Sequence, residues 1–299
     1  MQSKPITGHL AALFTAVVWG TTFISTKILL VDFQPVEILF FRFVLGYLML
    51  FLACPRPLRL EEPRKEGLFV LAGLCGICLY YLMENIALTY TMASNVGVVV
   101  SIAPFFTAVL AHLLMPEGEK LRVNFFAGFA VAMVGIVLIS FNGARLQVNP
   151  VGDVLSVGAA LVWACYSLLT RRIGGFGYPV ILTTRRIFFY GILCMLPALF
   201  FFDFQMELHR FAKITSLLNL LYLGMGASAL CFVTWNYAVK VLGAVQTSVY
   251  IYLVPVITIV TSMLFLKEPV TWMSGAGTAL TIVGLVVSEY RGKEHYRST

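Results

Sequence analysis

Ten long apolar runs constrain this chain more than any other feature. They occupy residues 8–30, 36–53, 67–90, 93–115, 123–141, 152–170, 180–202, 215–239, 244–266 and 271–290. A helix needs roughly 20 apolar residues to cross about 30 Å of hydrocarbon. Peptide groups in lipid must bond within their own segment, so stretches this long and apolar cross as helices. Composition agrees: 60% of residues are hydrophobic and 12% charged, against about half and about a quarter in a soluble domain. Connections are too short to hold a separate soluble domain. The first run is too long for the apolar part of a secretory leader and lacks a clear A-x-A site, so no cleavable signal is expected.

The net charge of +7 raises nucleic acid as a partner, but the placement of the charges argues against it. With the amino terminus in the cytoplasm, thirteen lysines and arginines fall in inner segments and four (Arg145, Arg210, Lys213 and Lys267) in outer ones. That is the positive-inside bias, and it predicts cytoplasmic termini in a multi-pass protein of the cell (inner or plasma) membrane. Cys75 and Cys78 have C-x-x-C spacing. No second cysteine pair or histidine cluster accompanies them, so they read as small helix residues, and neither metal nor cofactor is expected.

The two halves repeat each other. An offset of 144 carries Gly8, Trp19, Lys27, Pro35 and Arg42 onto Gly152, Trp163, Arg171, Pro179 and Arg186. An offset of 151 carries Gly73, Asn85, Ala87, Ala93, Pro104 and Thr107 onto Gly224, Asn236, Ala238, Ala244, Pro255 and Thr258. An offset of 149 carries Glu119, Gly128, Gly135 and Gly143 onto Glu268, Gly277, Gly284 and Gly292. Each unit, 8–143 and 152–292, holds five runs. Five is odd, so the second unit enters from the opposite face. The predicted fold is all-α: ten transmembrane helices as two inverted five-helix repeats. Secondary transporters are built this way, with the site near the midplane between repeats.

The stretch "NIALTYTMASNVGVVVSIAPFFTAVLAHLLM", followed by "GEKLRVNFFAGFAVAMVGIVLI", resembles the drug/metabolite transporter superfamily in its ten-span EamA-type branch. "NYAVKVLGAVQTSVYIYLVPVITIVTSMLFLKEPVTWMSGAGTALTIVGLVV" resembles it a second time, and "AVVWGTTFISTK" and "ALVWACYSLLTR" resemble the first span of each unit. The resemblance covers about residues 8–290 and implies a carrier of small solutes. The nearest-looking branch exports aromatic and other neutral amino acids; the resemblance leaves the solute open.

Glu84 and Asn85 interrupt the third run. Tyr81, Asn85 and Leu88 share a helix face, with Glu84 at its edge. An ionisable group within a span faces the bundle interior or a watery cavity. Tyr81, Glu84 and Asn85 then line the solute path, with Glu84 meeting an ammonium group or titrating. On the opposing reading Glu84 snorkels and Asn85 bonds helices together. Trp235 replaces the acid beside Asn236 in the second unit. Trp19 and Trp163 sit halfway along their spans, away from the interface belt tryptophan prefers; either they wall a cavity or they fill between helices. Tyr80, Tyr237, Tyr250 and Tyr252 add rings with polar tips, suited to an amphipathic or aromatic solute.

Pro104 and Pro255 bend the fourth and ninth spans. Small residues flank them: Gly97 and Ser101, then Ser248 and Thr258. They serve as gate hinges lining the cavity or as tight packing. His112 is expected to pack, and Lys27, Arg171, Arg42 and Arg186 to snorkel. Scarce deep cations disfavour a phosphorylated solute. Glu119 and Glu268 complement helix dipoles, and Gly128, Gly135, Gly277 and Gly284 are packing notches. An enzyme is not expected: phosphate-loop, H-E-x-x-H and G-x-S-x-G motifs are missing. A receptor or scaffold has no evident need of doubled, inverted architecture. The partners expected are a small solute and membrane lipid, with function as a monomer and a dimer left open.

Overall fold

The computed structural model describes residues 3–91, 93–114, 123–140, 149–202, 204–266 and 272–289. Glu119, Gly143, Glu268 and Gly292 of the repeat, and the loop cations Arg145 and Lys267, lie outside the described residues. The first half supplies α1 (Ser3–Leu29), α2 (Pro35–Ala53), α3 (Glu66–Gly73), α4 (Tyr80–Tyr90), α5 (Ala93–Val100), α6 (Ala103–Leu114) and α7 (Val123–Ser140). The second supplies α8 (Pro150–Gly174), α9 (Val180–Phe201), α10 (Ile214–Leu221), α11 (Cys231–Leu242), α12 (Ala244–Ser248), α13 (Leu253–Leu266) and α14 (Trp272–Glu289).

Several of these join end to end. A π-helical segment, Leu74–Leu79, links α3 to α4, and another, Tyr222–Leu230, links α10 to α11. Among the described residues, seven continuous stretches are long and apolar enough to cross a membrane: Pro5–Leu29, Pro35–Ala53, Pro63–Tyr90, Pro150–Gly174, Val180–Phe201, Ile214–Leu242 and Ala244–Thr261. Ala103–Leu114, Val123–Leu138 and Gly275–Ser288 are shorter apolar helices. Large apolar side chains such as Leu52, Val154 and Phe200 point outward, as a hydrocarbon solvent allows.

The expected fourth span is not one helix. It breaks after Val100, turns at residues 101–102 and restarts as α6. Pro104 has no N–H to offer the Val100 carbonyl four residues earlier, and its ring crowds that turn. Pro255 has the same relation to Ile251, and there the chain tightens into a 3-10 turn, Val249–Tyr252, before α13. Helix starts are conventional. Pro35 opens α2 while the Gln34 N–H donates to Glu37 Oε2 at 2.8 Å. Pro150 opens α8 while Asn149 Oδ1 accepts from Val151 and Gly152 at 3.1 and 3.3 Å. Both patterns satisfy orphan N–H groups of a first turn.

Packing joins the halves throughout. α1 lies against α11 and α13, and α8 lies against α4 and α6. α2 packs on the 222–230 π segment and α9 on the 74–79 one. α7 and α14 pack on each other, closely enough that a Cβ on Gly128 would stand 2.5 Å from the Gly284 carbonyl, and one on Gly135 2.5 Å from that of Gly277. Those glycines permit the backbone approach.

Candidate functional site

The two broken segments and the first π-linked one meet α1 and α8 around one cavity, with about 450 Å³ of empty space that includes its opening to solvent. α1 contributes Trp19, Thr22 and Phe23; α4 contributes Tyr80, Tyr81 and Glu84; α5 contributes Gly97 and Val100. From the other half come Trp163 on α8, Ile251 in the 3-10 turn and Val254 on α13. Val100 and Ile251 are the residues whose helical bonds the two prolines forbid, so each break borders the cavity.

Its wall is aromatic. Trp19 and Trp163 meet edge to face, ring centroids 5.1 Å apart at 83°. Tyr80 lies 4.9 Å from Trp163 and 4.7 Å from Tyr81, perpendicular to the latter. Such offset and T-shaped pairs suit ring quadrupoles. Trp235, fully buried, backs the wall 5.0 Å from Trp19 and 5.9 Å from Trp163. The mates Trp19 and Trp163 differ in one respect. Trp19 Nε1 donates to the Ala227 carbonyl at 2.9 Å, whereas Trp163 Nε1 is buried with no hydrogen-bond partner among the described residues.

Glu84 stands one helical turn beyond Tyr80 on α4. Its side chain is 3% exposed, and Oε2 is buried without a partner among the described residues, so it does not snorkel. The remaining sequence candidates lie off the cavity. Asn85 Nδ2 donates to the Pro35 carbonyl at 3.0 Å, bonding α4 to the start of α2. Asn236 accepts from the Tyr166 hydroxyl at 2.8 Å, donates to Thr184 Oγ1 at 3.0 Å and borders a second cavity of about 250 Å³. Ser101, in the turn, donates to the Gly97 carbonyl of α5, and Ser248 to the Val245 carbonyl of its own helix. Tyr252 is buried, its ring 6.5 Å from Phe129. Pro104 and Pro255 are buried at the breaks, and His112 is exposed near the end of α6.

The cations behave differently from the sequence expectation. Arg42 does not snorkel: it is fully buried, its Cζ 4.2 Å from the Tyr81 ring centroid and its Nε donating to Ser228 Oγ at 3.0 Å. α2 is wedged between α9 and the 222–230 segment, which leaves Arg42 no route outward. Arg186 pairs with Glu66 and bonds the Leu58 carbonyl at 2.6 Å. Lys27 caps α4 through the Leu88 and Thr91 carbonyls at 2.8 and 3.2 Å. Its mate Arg171 caps α11 through Val239 and Lys240 at 3.2 and 2.9 Å. Sequence reasoning also missed Thr22, Phe23, Val100, Ile251 and Val254, apolar or small residues with no distinguishing signal. Among the described residues no cluster of histidine, cysteine or acidic side chains is arranged to hold a metal ion.

The sequence profile of the EamA-like transporter family matches residues 6–141 and again residues 150–290. The chain belongs to the EamA-like transporter family. EamA-like proteins are transporters and not enzymes, and this one is a multi-pass membrane protein that handles a small-molecule solute. An uncharacterized transporter of Archaeoglobus fulgidus is 27% identical over 99% of this chain and 100% of its own length. A probable terminal-alkyne amino-acid exporter of Streptantibioticus cattleyicolor is 26% identical over 97% of this chain and 96% of its own. A probable amino-acid metabolite efflux pump of Escherichia coli (strain K12) is 24% identical over 93% of each chain. One crystal structure superposes with a TM-score of 0.74 at 20% identity, over 94% of this EamA-like chain and 97% of that one; that likeness shows the fold.

Proposed function

We propose that this protein is a secondary transporter that exports amino acids, aromatic and neutral ones foremost, or related small metabolites. It works by alternating access of two inverted five-helix repeats, residues 8–143 and 152–292, with ten spans and both termini cytoplasmic. The observation that carries the reading is the cavity between the halves. Its wall is aromatic, and two lining residues, Glu84 and Trp163, hold buried polar atoms without partners among the described residues. An unpaired polar atom in a low-dielectric interior is costly, and a solute that pairs it recovers that cost. The aromatic rings take an apolar side chain and Glu84 takes an ammonium group. The names of the Streptantibioticus and Escherichia relatives support the solute class.

The inverted arrangement is supported by the exchange of partners between halves. Gly8 approaches Leu242 as its mate Gly152 approaches Thr91, and residues 91 and 242 are themselves related by the offset of 151. Two equivalent halves give two states of similar energy, so modest differential binding shifts the population.

A second reading is an efflux carrier for quaternary cations, favoured by the carboxyl group of Glu84 among the rings of Trp19, Trp163, Tyr80 and Tyr81, since aromatic cages recognise such cations. Counterflow in proteoliposomes separates the two. Labelled phenylalanine exchanging, and Trp163→Ala and Glu84→Gln both slowing it, supports the amino-acid carrier. Exchange of tetraphenylphosphonium alone supports the cation carrier. Absence of flux for any amino acid removes the first reading.

A further inference from the structure

Arg42 is the eighth residue of α2, deep in a span and fully buried. Its Nε has Ser228 as partner, but Nη1 and Nη2 are buried with no hydrogen-bond partner among the described residues. A buried guanidinium is costly even when fully bonded. Leaving two of its nitrogens unpaired adds to that cost, so stability does not explain the residue. The two nitrogens form the planar fork that matches a carboxylate in two parallel hydrogen bonds.

Tyr81 connects this fork to the cavity. The ring lines the cavity, and Arg42 Cζ sits 4.2 Å from its centroid. Glu84, three residues further along α4, lines the same cavity with Oε2 buried and unpartnered. Arg42 and Glu84 are close enough to interact electrostatically, yet no ion pair joins them among the described residues, and each keeps a buried polar atom unpartnered.

We infer that Arg42 is a carboxylate-binding residue of the solute site. With the Tyr81 ring turned aside, Nη1 and Nη2 take the carboxylate of a solute whose ammonium group meets Glu84. The site then selects zwitterionic α-amino acids over amines and over simple carboxylic acids. This inference rests on the reading of the cavity as the solute site.

The test measures binding to the purified full-length chain by calorimetry, using phenylalanine, phenethylamine and 3-phenylpropionate. Wild type is expected to bind phenylalanine about 10- to 100-fold more tightly than either single-charge analogue, as a charge-assisted bidentate pair implies. Arg42→Lys keeps the charge and loses the fork; it should weaken phenylalanine about tenfold and leave phenethylamine within about twofold. Ser228→Ala, which keeps the guanidinium and removes the acceptor of its Nε bond, should narrow the preference in the same direction and serves if Arg42→Lys does not fold. Equal binding of phenylalanine and phenethylamine by wild type overturns the role of Arg42 while leaving the cavity as a cation site. Equal weakening of both ligands in Arg42→Lys also overturns it, because Arg42 then only balances Glu84. Failure of wild type to bind any of the three removes the amino-acid reading of the cavity itself, and this inference with it.

Discussion

Two tryptophans related by an offset of 144 residues hold their indole nitrogens differently, and that difference is testable. Trp19 Nε1 is bonded to the Ala227 carbonyl, so Trp19→Phe loses a buried hydrogen bond and leaves a carbonyl unpaired. It should destabilise the protein by about 1 kcal/mol or more. Trp163 Nε1 is buried and unpaired. Trp163→Phe removes that liability and keeps a ring against Trp19 and Tyr80, so thermal unfolding in detergent should show no loss of stability while counterflow slows. Equal destabilisation of both variants would contradict the geometry. Trp235, fully buried behind both rings, is different again: Trp235→Ala leaves a large void and should cost about 3–5 kcal/mol. The sequence marked all three tryptophans and Glu84. It did not mark Arg42, whose burial depends on what packs around α2; an arginine seven positions past Pro35 reads the same whether it snorkels or is enclosed.

Helix breaks and close helix pairs set what the elements do. Pro104→Ala restores an N–H within reach of the Val100 carbonyl, which should join α5 to α6, leave stability unchanged or higher, and lower the transport rate if the break permits movement. Flux and unfolding temperature measured on the same preparation decide this. At the α7–α14 contact a Cβ on Gly128 would already stand 2.5 Å from the Gly284 carbonyl, so Gly128→Leu should cost about 1–3 kcal/mol from overpacking. Gly67 on α3 has open space around it; Gly67→Ala should be neutral or slightly stabilising. Between α1 and α2, the hydrogen bond from Lys213, at 2.6 Å, holds the half-buried Asp32 carboxyl below its usual range. A depressed folded-state value stabilises the fold above the unfolded value of about 3.9 and is lost as the pH falls through the folded one. Asp32→Asn should therefore be less stable than wild type near neutral pH, with the gap closing on acidification below about pH 4; an unfolding series across pH checks it. The seven membrane-length helices were legible because apolar length is a local property. The break at Val100 was legible only as a bend, because the choice between a kink and a full interruption is made by neighbouring helices.

At the scale of the molecule, every long helix finds partners in the opposite half: α1 with α11 and α13, α8 with α4 and α6, and α7 with α14. If the halves are inverted, Ile6 and Val151, exposed near the starts of α1 and α8, face opposite compartments. With the six native cysteines replaced, an impermeant maleimide added outside intact cells should label a cysteine at one of these positions and spare the other. Labelling of both from outside would remove the inverted arrangement, and alternating access with it.

Hydropathy, helix breakers and the duplicated motifs are written along the chain, and so the helical membrane class, the approximate spans and the family resemblance followed from the sequence alone. The cavity did not. Trp19 and Trp163 lie 144 positions apart, and Arg42 reaches Ser228 across 186. Such pairs exist only once the helices have chosen which faces to bury, and that choice is a sum of many weak packing terms that no local pattern records. Tertiary structure therefore decided which polar groups are spent joining helices, as with Asn236, and which, as with Glu84, Trp163 and Arg42, keep a hydrogen-bonding position open.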